Sequence, residues 1–544
     1  MHANLLNIFD RTVRQARLDI ENGRIAAITY LGSEAPALPY VLPGFVDAHV
    51  HIESSMLTPS QFARLAVVHG TVATVSDPHE IGNVLGVAGV EYMIEDSKRV
   101  PVKFCFGAPS CVPATVFETA GATIGTKDVR QLLGMKEIGY LAEVMNYPGV
   151  LNEDPDVMAK IALAKAFNKP VDGHAPGLRG NNAHRYAEAG ITTDHECFTY
   201  AEAREKIDCG MNILIREGSA AKNFDALIPL LAEFPKKIMF CSDDKHPDSL
   251  VEGHIDALVK RALALGHNLF DVLQAACLNP VLHYRLPVGL LREGDPADFI
   301  VVDNLLDFNV LQTYLDGKLV AENGHSLLPD LRSDHVNNFN CLPKKPEDFI
   351  CPALLEAVSL RIIEVLDGQL ITNSIREDVR ARNGVIESDV ERDILKITVV
   401  NRYADAAPAL AFIRNFGLKS GAIASSVGHD SHNIIALGCD DESLCQAVNA
   451  VIEAKGGISA VGAGQSLTLP LPIAGLMTDR DGYEVADAYT RLDQFVKQEL
   501  KSTLTSPFMS LSFMALLVIP SLKLSDQGLF NGDKFSFVSL TGKV

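Results

Sequence analysis

The stretch VLPGFVDAHVH (residues 41–51) sets the fold class of this chain, because an apolar run typical of a buried strand leads into two histidines. Residues two apart on a strand point to the same face, so His49 and His51 can bind one metal ion together. A lone H-x-H is more often a pair of partly buried histidines with satisfied hydrogen bonds. The rest of the chain therefore decides between these two interpretations.

Further apolar runs follow at intervals that suit a strand, a loop and a helix, and segments with helical patterning, such as 156–168 and 249–266, lie between them. Eight alternating units predict an α/β fold, a closed (β/α)8 barrel of the TIM type. Seven of the eight runs carry a His, Asp, Glu or Arg at or near their end, where such a barrel places its chemistry. The runs after the first are GTVATVSDPHE (70–80), VKFCFG (102–107), IGYLAEVMN (138–146), KPVDGH (169–174), GITTDHE (190–196), GMNILIREG (210–218) and KIMFCSDD (237–244).

Four polar residues at the ends of later runs complete a candidate metal site: Glu143, His174, His195 and Asp243. Imidazole and carboxylate ligands without a thiolate suit one or two ions of zinc, iron or manganese. Such a site lowers the pKa of bound water, so hydrolysis is the predicted chemistry. Asp243 can both bind metal and accept the proton of the attacking water. The alternative for Asp243 is the N-cap of a helix that begins near Ser249.

The chain divides into three predicted domains. Residues 42–280 form the barrel, and the strand-rich pieces 1–41 and 281–340 pair into a small discontinuous β-domain. Residues 341–544 mix strand-like and helical runs, which predicts a C-terminal α+β domain. The Pro-rich, charged stretch LPKKPEDF (342–349) has the composition of a linker.

The bulk composition limits the partners and the compartment. A formal net charge of −20 argues against nucleic acid, which is bound through Lys and Arg, and favours a small neutral or cationic substrate. The ten cysteines contain no C-x-x-C pair and are interpreted as free thiols. The N-terminus has no export signal, and the longest apolar stretch is far shorter than the roughly 20 residues of a membrane span. We therefore expect a cytoplasmic protein with no membrane partner.

Longer motifs carry a resemblance to a known family. VLPGFVDAHVHIESSM (41–56) resembles the first-strand signature of the amidohydrolase superfamily, P-G-F-[IV]-D-x-H-x-H. Further stretches, spread over nearly the whole chain, resemble the adenine deaminases within that superfamily. They are TVSDPHEIGNVLG (74–86), AEVMNYPGV (142–150), VDGHAPGL (171–178), TTDHECFT (192–199), IREGSAAKN (215–223), CSDDKHPDSL (241–250), SVGHDSHNI (426–434) and SFMALLVIPSLKLSDQGL (512–529).

The resemblance implies a metal-dependent hydrolase that replaces the exocyclic amine of adenine by oxygen, giving hypoxanthine and ammonia in purine salvage. It implies two divalent cations per chain, Mn²⁺ or Fe²⁺ with Zn²⁺ as an alternative, and a homo-oligomer, a dimer or larger. Many superfamily members bridge the metals with a carbamylated lysine, where this chain offers Glu143. The implied metal ligands are His49, His51, Glu143, His174, His195 and Asp243.

Substrate contacts are implied less directly. Asp243, Glu143 and His79 are the candidate catalytic residues, and Glu53, Glu80, Arg216 and Glu217 are the candidate substrate contacts. The substrate contacts and His79 can equally support a metal ligand or cap a helix. The pyrimidine deaminases carry H-x-x-x-E after the fifth strand, where this chain has HAPGL, so the acid that protonates the ring cannot be copied from them. The polar loop 428–432 is either a flap over a barrel mouth or, the favoured interpretation, a hydrogen-bonded turn.

Three alternatives compete with this reading. A cyclic amidase would use the same barrel and metals, but Glu143 in place of lysine argues against it. A zinc deaminase of nucleic-acid bases would need P-C-x-x-C beside the H-I-E of residues 51–53, and the chain has none. A non-catalytic binding protein on the same fold would be expected to have lost a ligand, whereas all six positions hold competent side chains.

Overall fold

The structure is a computed structural model that describes residues 1–353 and 355–542. Its centre is a set of eight parallel strands that follow one another in chain order, β1 to β5 in one sheet and β6 to β8 in a second. These strands are buried along most of their length, as their apolar runs require. They are β1 (Phe45–Val50), β2 (Thr71–Ser76), β3 (Lys103–Ala108), β4 (Ile138–Val144), β5 (Val171–Gly173), β6 (Thr193–Asp194), β7 (Asn212–Arg216) and β8 (Ile238–Cys241).

Backbone hydrogen bonds join the two sheets into one closed barrel. The Thr192 N–H donates to the Val171 carbonyl at 2.8 Å, which connects β5 to the start of β6. The Asp243 N–H donates to the His49 carbonyl at 2.9 Å, which connects the chain after β8 to β1. The predicted (β/α)8 barrel is therefore confirmed.

Helices connect the barrel strands. The second of the connecting segments singled out from the sequence, 249–266, is helical as its patterning predicts, but the helix is interrupted. The structure has two helices, Pro247–Glu252 and Ile255–Ala264, because His254 lies between them with its Nε2 atom 2.7 Å from Asp47 Oδ2. The remaining α-helices up to residue 284 are Pro59–Ala66, His79–Leu85, Val87–Ser97, Thr126–Leu133, Tyr147–Leu151, Pro155–Ala166, Gly180–Glu188, Tyr200–Asp208, Phe224–Leu227, Leu230–Glu233, Leu269–Leu273 and Asn279–Tyr284.

A separate eight-stranded sheet is built from both flanks of the barrel. Its two halves meet where Tyr40–Pro43 pairs antiparallel with Phe299–Val302. The bounds of the three predicted domains stay predictions. The other strands of this sheet are His2–Asn7, Thr12–Glu21, Arg24–Ser33, Val310–Leu315, Lys318–Glu322 and His325–Ser326.

The C-terminal part of the chain is built on a nine-stranded sheet. The helix Asp441–Glu453 packs on this sheet and buries its apolar side chains there. Two further helices, Gly482–Gln498 and Pro507–Ser512, and a small sheet of Leu522–Ser525, Gly528–Asn531 and Ser536–Phe537 complete the α+β architecture. The strands of the large sheet are Ala357–Val365, Thr372–Arg380, Leu395–Val400, Ala409–Arg414, Ala422–Ser425, Ile434–Gly438, Gly457–Gly462, Gln465–Pro470 and Thr541–Gly542.

One continuous apolar core joins the C-terminal part to the barrel, and it includes Val144 of β4 and Ile435 of the large sheet. The Thr478 N–H also donates to the Met56 carbonyl at 2.9 Å, just after β1. The C-terminal part therefore packs against the end of the barrel at which the strands finish. Over the described residues, no helix has both the length and the hydropathy needed to cross a bilayer.

Candidate metal centre and active site

The six predicted metal ligands lie together at the carboxyl end of the barrel. His49 is in β1 and Glu143 is in β4, while the other four residues follow directly or closely after a strand. Each of the six side chains is exposed by 5% or less, so they form a buried cluster. The four that follow a strand are His51 after β1, His174 after β5, His195 after β6 and Asp243 after β8.

One half of the cluster consists of His49, His51 and Asp243. The Nε2 atoms of the two histidines are 3.2 Å apart. Asp243 Oδ1 lies 3.6 Å from His49 Nε2 and 3.4 Å from His51 Nε2. Donor atoms that bind a cation at about 2.1 Å are separated by about 3.0 to 3.4 Å in octahedral or tetrahedral coordination. Two of the three separations lie in this range and the third, from His49 Nε2 to Asp243 Oδ1, is slightly longer, so the three side chains suit a shared divalent cation.

Glu143 connects this half of the cluster to the second half. Its Oε1 atom lies 3.4 Å from His51 Nε2. Its Oε2 atom lies 2.6 Å from His174 Nδ1 and 3.1 Å from His195 Nε2. One carboxylate thus presents an oxygen to each half, which is the arrangement that a bridging ligand between two cations needs.

Burial and counter-charges set the ionisation of the two carboxylates. Burial acts to raise the pKa of Asp243, but the Arg216 guanidinium and the neighbouring histidines outweigh it and hold this pKa well below its usual range. Burial likewise opposes ionisation of Glu143, and His174 with the other histidines reverses the effect and lowers the pKa of Glu143. Both carboxylates are therefore ionised at neutral pH, as metal ligands must be.

Arg216, expected as a substrate contact, lies beneath Asp243 and is buried. Its Nη1 atom is 2.6 Å from Asp243 Oδ2, and its Nη2 atom is 2.9 Å from Glu196 Oε2. The guanidinium thereby fixes the orientation of Asp243. The alternative role of Asp243 as a helix cap is wrong, because the next helix begins at Pro247 and has His246 at its N-cap.

His79 and Glu80 reach the cluster from the start of the helix after β2. His79 Nδ1 lies 3.2 Å from Asp77 Oδ1, and His79 Nε2 lies 3.4 Å from Glu80 Oε1. Glu53 is also buried and accepts a hydrogen bond from the Ile81 N–H at 3.2 Å. Burial raises the pKa of Glu53 to about 7. These three predicted residues thus lie beside the metal ligands or directly behind them.

Glu217 is the predicted site residue that the structure does not bring to the cluster. Successive side chains of a strand point to opposite faces, so Glu217 turns away from the site that Arg216 faces. Its carboxylate lies 3.3 Å from Arg261 Nη1 and lines a separate cavity with Lys222 and Lys245. Glu217 therefore has no contact with the candidate metal centre.

Sequence reasoning missed two groups of site residues. Asp77 and Glu196 were within the quoted runs but were given no role, although Asp77 Oδ2 also accepts the Glu143 N–H at 3.2 Å. The second group belongs to the C-terminal part and consists of Leu370, Phe513 and Leu516, which line the cleft beside His429 and Asp430 of the loop 428–432. The loop 428–432 thus lies over the barrel mouth of its own chain, as its interpretation as a flap predicts. It also contains the hydrogen-bonded turn of the other interpretation, because the His432 N–H donates to the Gly428 carbonyl at 2.8 Å.

Comparisons with known proteins agree with this architecture. Residues 40–320 match the model of the amidohydrolase family, and residues 369–536 match the model described as the adenine deaminase C-terminal domain. A protein named adenine deaminase from Sulfurovum is 57% identical over 99% of this chain and 99% of its own. The chain belongs to the adenine deaminase family. The adenine deaminase of Salinibacter ruber is 56% identical over 98% of this chain and 97% of its own.

Among solved structures, the N-acetyl-D-glucosamine-6-phosphate deacetylase of Mycobacterium smegmatis is 16% identical, covers 59% of this chain and 99% of its own, and has a TM-score of 0.45. Two observations support binding of a divalent metal ion by this member of the adenine deaminase family. The chain matches the amidohydrolase family, and groups of His and carboxylate side chains have donor atoms within 4.8 Å of one another.

Proposed function

We propose that this protein is an adenine deaminase that hydrolyses the bond between C6 of adenine and its exocyclic amine. Water adds its oxygen to C6, the amine leaves as ammonia, and the product is hypoxanthine. The observation that carries the proposal is full-length identity of up to 57% to proteins of that name, in a chain whose six predicted ligands converge. Purine salvage and release of nitrogen are the metabolic roles that follow.

We propose two divalent cations per chain, manganese or ferrous iron, with zinc as the alternative. His49, His51 and Asp243 would hold one, His174 and His195 the other, and Glu143 both. When bound, these cations supply Lewis-acid activation of water at neutral pH. The nitrogen and oxygen donors and the spacing of the donor atoms support this assignment.

The residues of the chain itself move the protons and orient the groups. Asp243 receives the proton of the attacking water and delivers it to the departing amine, which becomes ammonia. Arg216 holds the Asp243 carboxylate in position by an ion pair of 2.6 Å. Glu143 keeps the two halves of the cluster together. His79 and Glu80 face the cleft and are the proposed contacts to the purine, with Glu53 behind them.

Compartment and assembly are also proposals. All ten cysteines are free, and eight of them are buried, which suits the reducing cytoplasm. We further propose a homo-oligomer, a dimer or larger, which light scattering on the purified protein tests directly.

Ammonia release from adenine tests the proposed function. The protein is purified without chelator and supplied with manganese, ferrous iron or zinc, and Asp243→Asn is the matched variant. Release that depends on the metal and disappears in Asp243→Asn is the expected result. If the protein binds metal but releases no ammonia from adenine, adenine is not the substrate, and cyclic amides become the next class to assay.

A further inference from the structure

The cover of the active site comes from the loop 428–432, which connects the strands Ala422–Ser425 and Ile434–Gly438 of the large sheet. His429 and His432 of this loop are exposed by 3% and 0%. Both imidazoles point at one barrel carboxylate, that of Glu80. The C-terminal part thus contributes His429 to the lining of the cleft, whose floor is the cluster of candidate metal ligands, while His432 is completely buried and contacts Glu80.

The hydrogen bonds of His432 fix its tautomer. The Gly428 N–H donates to His432 Nδ1 at 3.3 Å, so Nδ1 is an acceptor and carries no hydrogen. The hydrogen of the neutral ring is therefore on Nε2, which faces Glu80 Oε2 at hydrogen-bonding distance. Nε2 is thus the nitrogen of His432 that can donate to Glu80, with which it is in close contact.

His429 occupies the other oxygen of Glu80 and still has a free nitrogen. Its Nδ1 atom lies 2.7 Å from Glu80 Oε1. Its Nε2 atom is buried and has no hydrogen-bond partner among residues 1–353 and 355–542, the closest carboxylate oxygen being Asp244 Oδ1 at 3.9 Å. Buried ring nitrogens normally have a partner, so this atom is available to a ligand in the cleft.

Apolar side chains form the walls beside that nitrogen. The ring of Phe513 lies beside the ring of His429, with centroids 5.3 Å apart, and Leu370 and Leu516 line the same cleft. Lys523 holds this wall in place, because its Nζ atom donates to the Leu370 carbonyl at 2.6 Å and to the Phe513 carbonyl at 2.9 Å. A site with apolar walls and polar groups at one edge fits a flat nitrogen heterocycle.

We propose that His429 is a substrate-binding residue, whose Nε2 atom contacts a ring nitrogen of the bound purine, and that His432 is a positioning residue that acts through Glu80. The inference rests on the proposed function and extends it, because it assigns base recognition to the C-terminal part of the chain. Burial lowers the pKa of His429, but the carboxylates of Glu80 and Asp244 outweigh it and raise this pKa, so that Nε2 carries a hydrogen to donate.

Deaza analogues of adenine test the contact. Binding of hypoxanthine and of the 1-deaza, 3-deaza and 7-deaza analogues of adenine is measured by calorimetry on the metal-loaded protein. Adenine itself is compared through its KM, or by calorimetry if the protein does not turn it over. His429→Ala is expected to weaken binding of adenine by about tenfold or more. The same variant should cause little further loss with the one analogue that lacks the contacted nitrogen.

Matched variants separate the proposed roles from general damage. His184→Ala removes an exposed histidine of the barrel and should bind all ligands like the parent protein. His429→Gln serves if His429→Ala does not fold. For His432, the glutamine variant keeps a donor to Glu80 and should recover part of the affinity that His432→Ala loses.

Two results overturn the inference. One is unchanged binding by both His429 variants, and the other is an equal loss for adenine and all three deaza analogues. If the parent protein binds these bases but releases no ammonia from adenine, the proposed deaminase function fails separately from the contact.

Discussion

The guanidinium of Arg216 lies 2.6 Å from the carboxylate of Asp243, so that the last residue of β7 supports the residue that follows β8. Glu196 shares the same guanidinium at 2.9 Å. The three charges are buried together beneath the metal cluster. Removal of the arginine would leave the buried carboxylate of Glu196 without its ion-pair partner and Asp243 without the group that orients it, which is costly inside a protein.

Arg216→Met should therefore destabilise the protein by about 3 to 5 kcal/mol and reduce deaminase kcat/KM by about 100-fold or more. Thermal unfolding and steady-state kinetics measure the two effects. The double variant Arg216→Met with Glu196→Gln also removes the unpaired charge of Glu196, so it should recover part of the stability but not the activity. Full activity in the single variant would contradict a role of Arg216 in orienting Asp243.

Glu143 is expected to determine how much metal the protein binds, because its two oxygens face the two halves of the cluster. Glu143→Ala should retain at most half of the metal content of the parent protein after dialysis, measured by elemental analysis. The matched control is Glu153→Gln, which changes an exposed residue after the helix Tyr147–Leu151 that follows β4. This variant should bind metal normally. Unaltered metal content in Glu143→Ala would exclude the bridging role.

Removal of the metal should lower the thermal midpoint. A ligand that binds only the folded protein stabilises the folded state. A chelator removes the cation that the carboxylates of Asp243 and Glu143 and the neighbouring histidines suit, so this stabilisation is lost. The midpoint should fall by several degrees and recover on addition of manganese, ferrous iron or zinc. A midpoint that is the same with and without chelator would argue against a buried cation between these side chains.

His246 should make folding stability depend on pH. Burial, with a smaller effect of His429, lowers the pKa of His246 to about 3. The unfolded chain, in which a histidine has its usual pKa of about 6.5, therefore binds a proton first as the pH falls. Stability contributed by the neutral ring is complete above about pH 6.5 and declines progressively towards pH 3.

His246→Phe keeps a ring against Tyr489, whose centroid lies 4.6 Å from that of His246, but cannot titrate. When the pH is lowered from 7.5 to 5.5, the free energy of unfolding of the parent protein should fall by about 1.4 kcal/mol more than that of this variant. Unfolding at the two pH values measures the difference. The exposed variant His184→Ala should show no such change, and a constant difference between parent and His246→Phe would refute the assignment.

The barrel and its ligands could be predicted because both follow from local patterns. A buried strand is an apolar run, and a barrel gathers the residues at the ends of all its strands, so His174 and His195 could be placed together without knowledge of distances. Glu217 was placed wrongly because the run ending in Arg216 and Glu217 offers two polar residues, and only the strand register decides which one faces inward.

Contacts between distant parts of the chain could not be predicted. The contact between Glu80 and His429 produces no recognisable pattern in the sequence around either residue. The break of the helix near His254 depends on Asp47, which is 207 residues earlier in the sequence. The expected linker LPKKPEDF (342–349) is a further case, because it contains the short helix Pro346–Phe349, and Phe349 is completely buried against the large sheet.

Because the loop that carries His429 and His432 lies over the barrel mouth, the barrel cannot be transplanted into another protein as an independent active site. A protein engineer who transplanted the barrel alone would expose the apolar core that it shares with the C-terminal part and would remove His429 from the cleft. Altered base preference would require matched changes in two regions of the gene, one around Glu80 and one around His429.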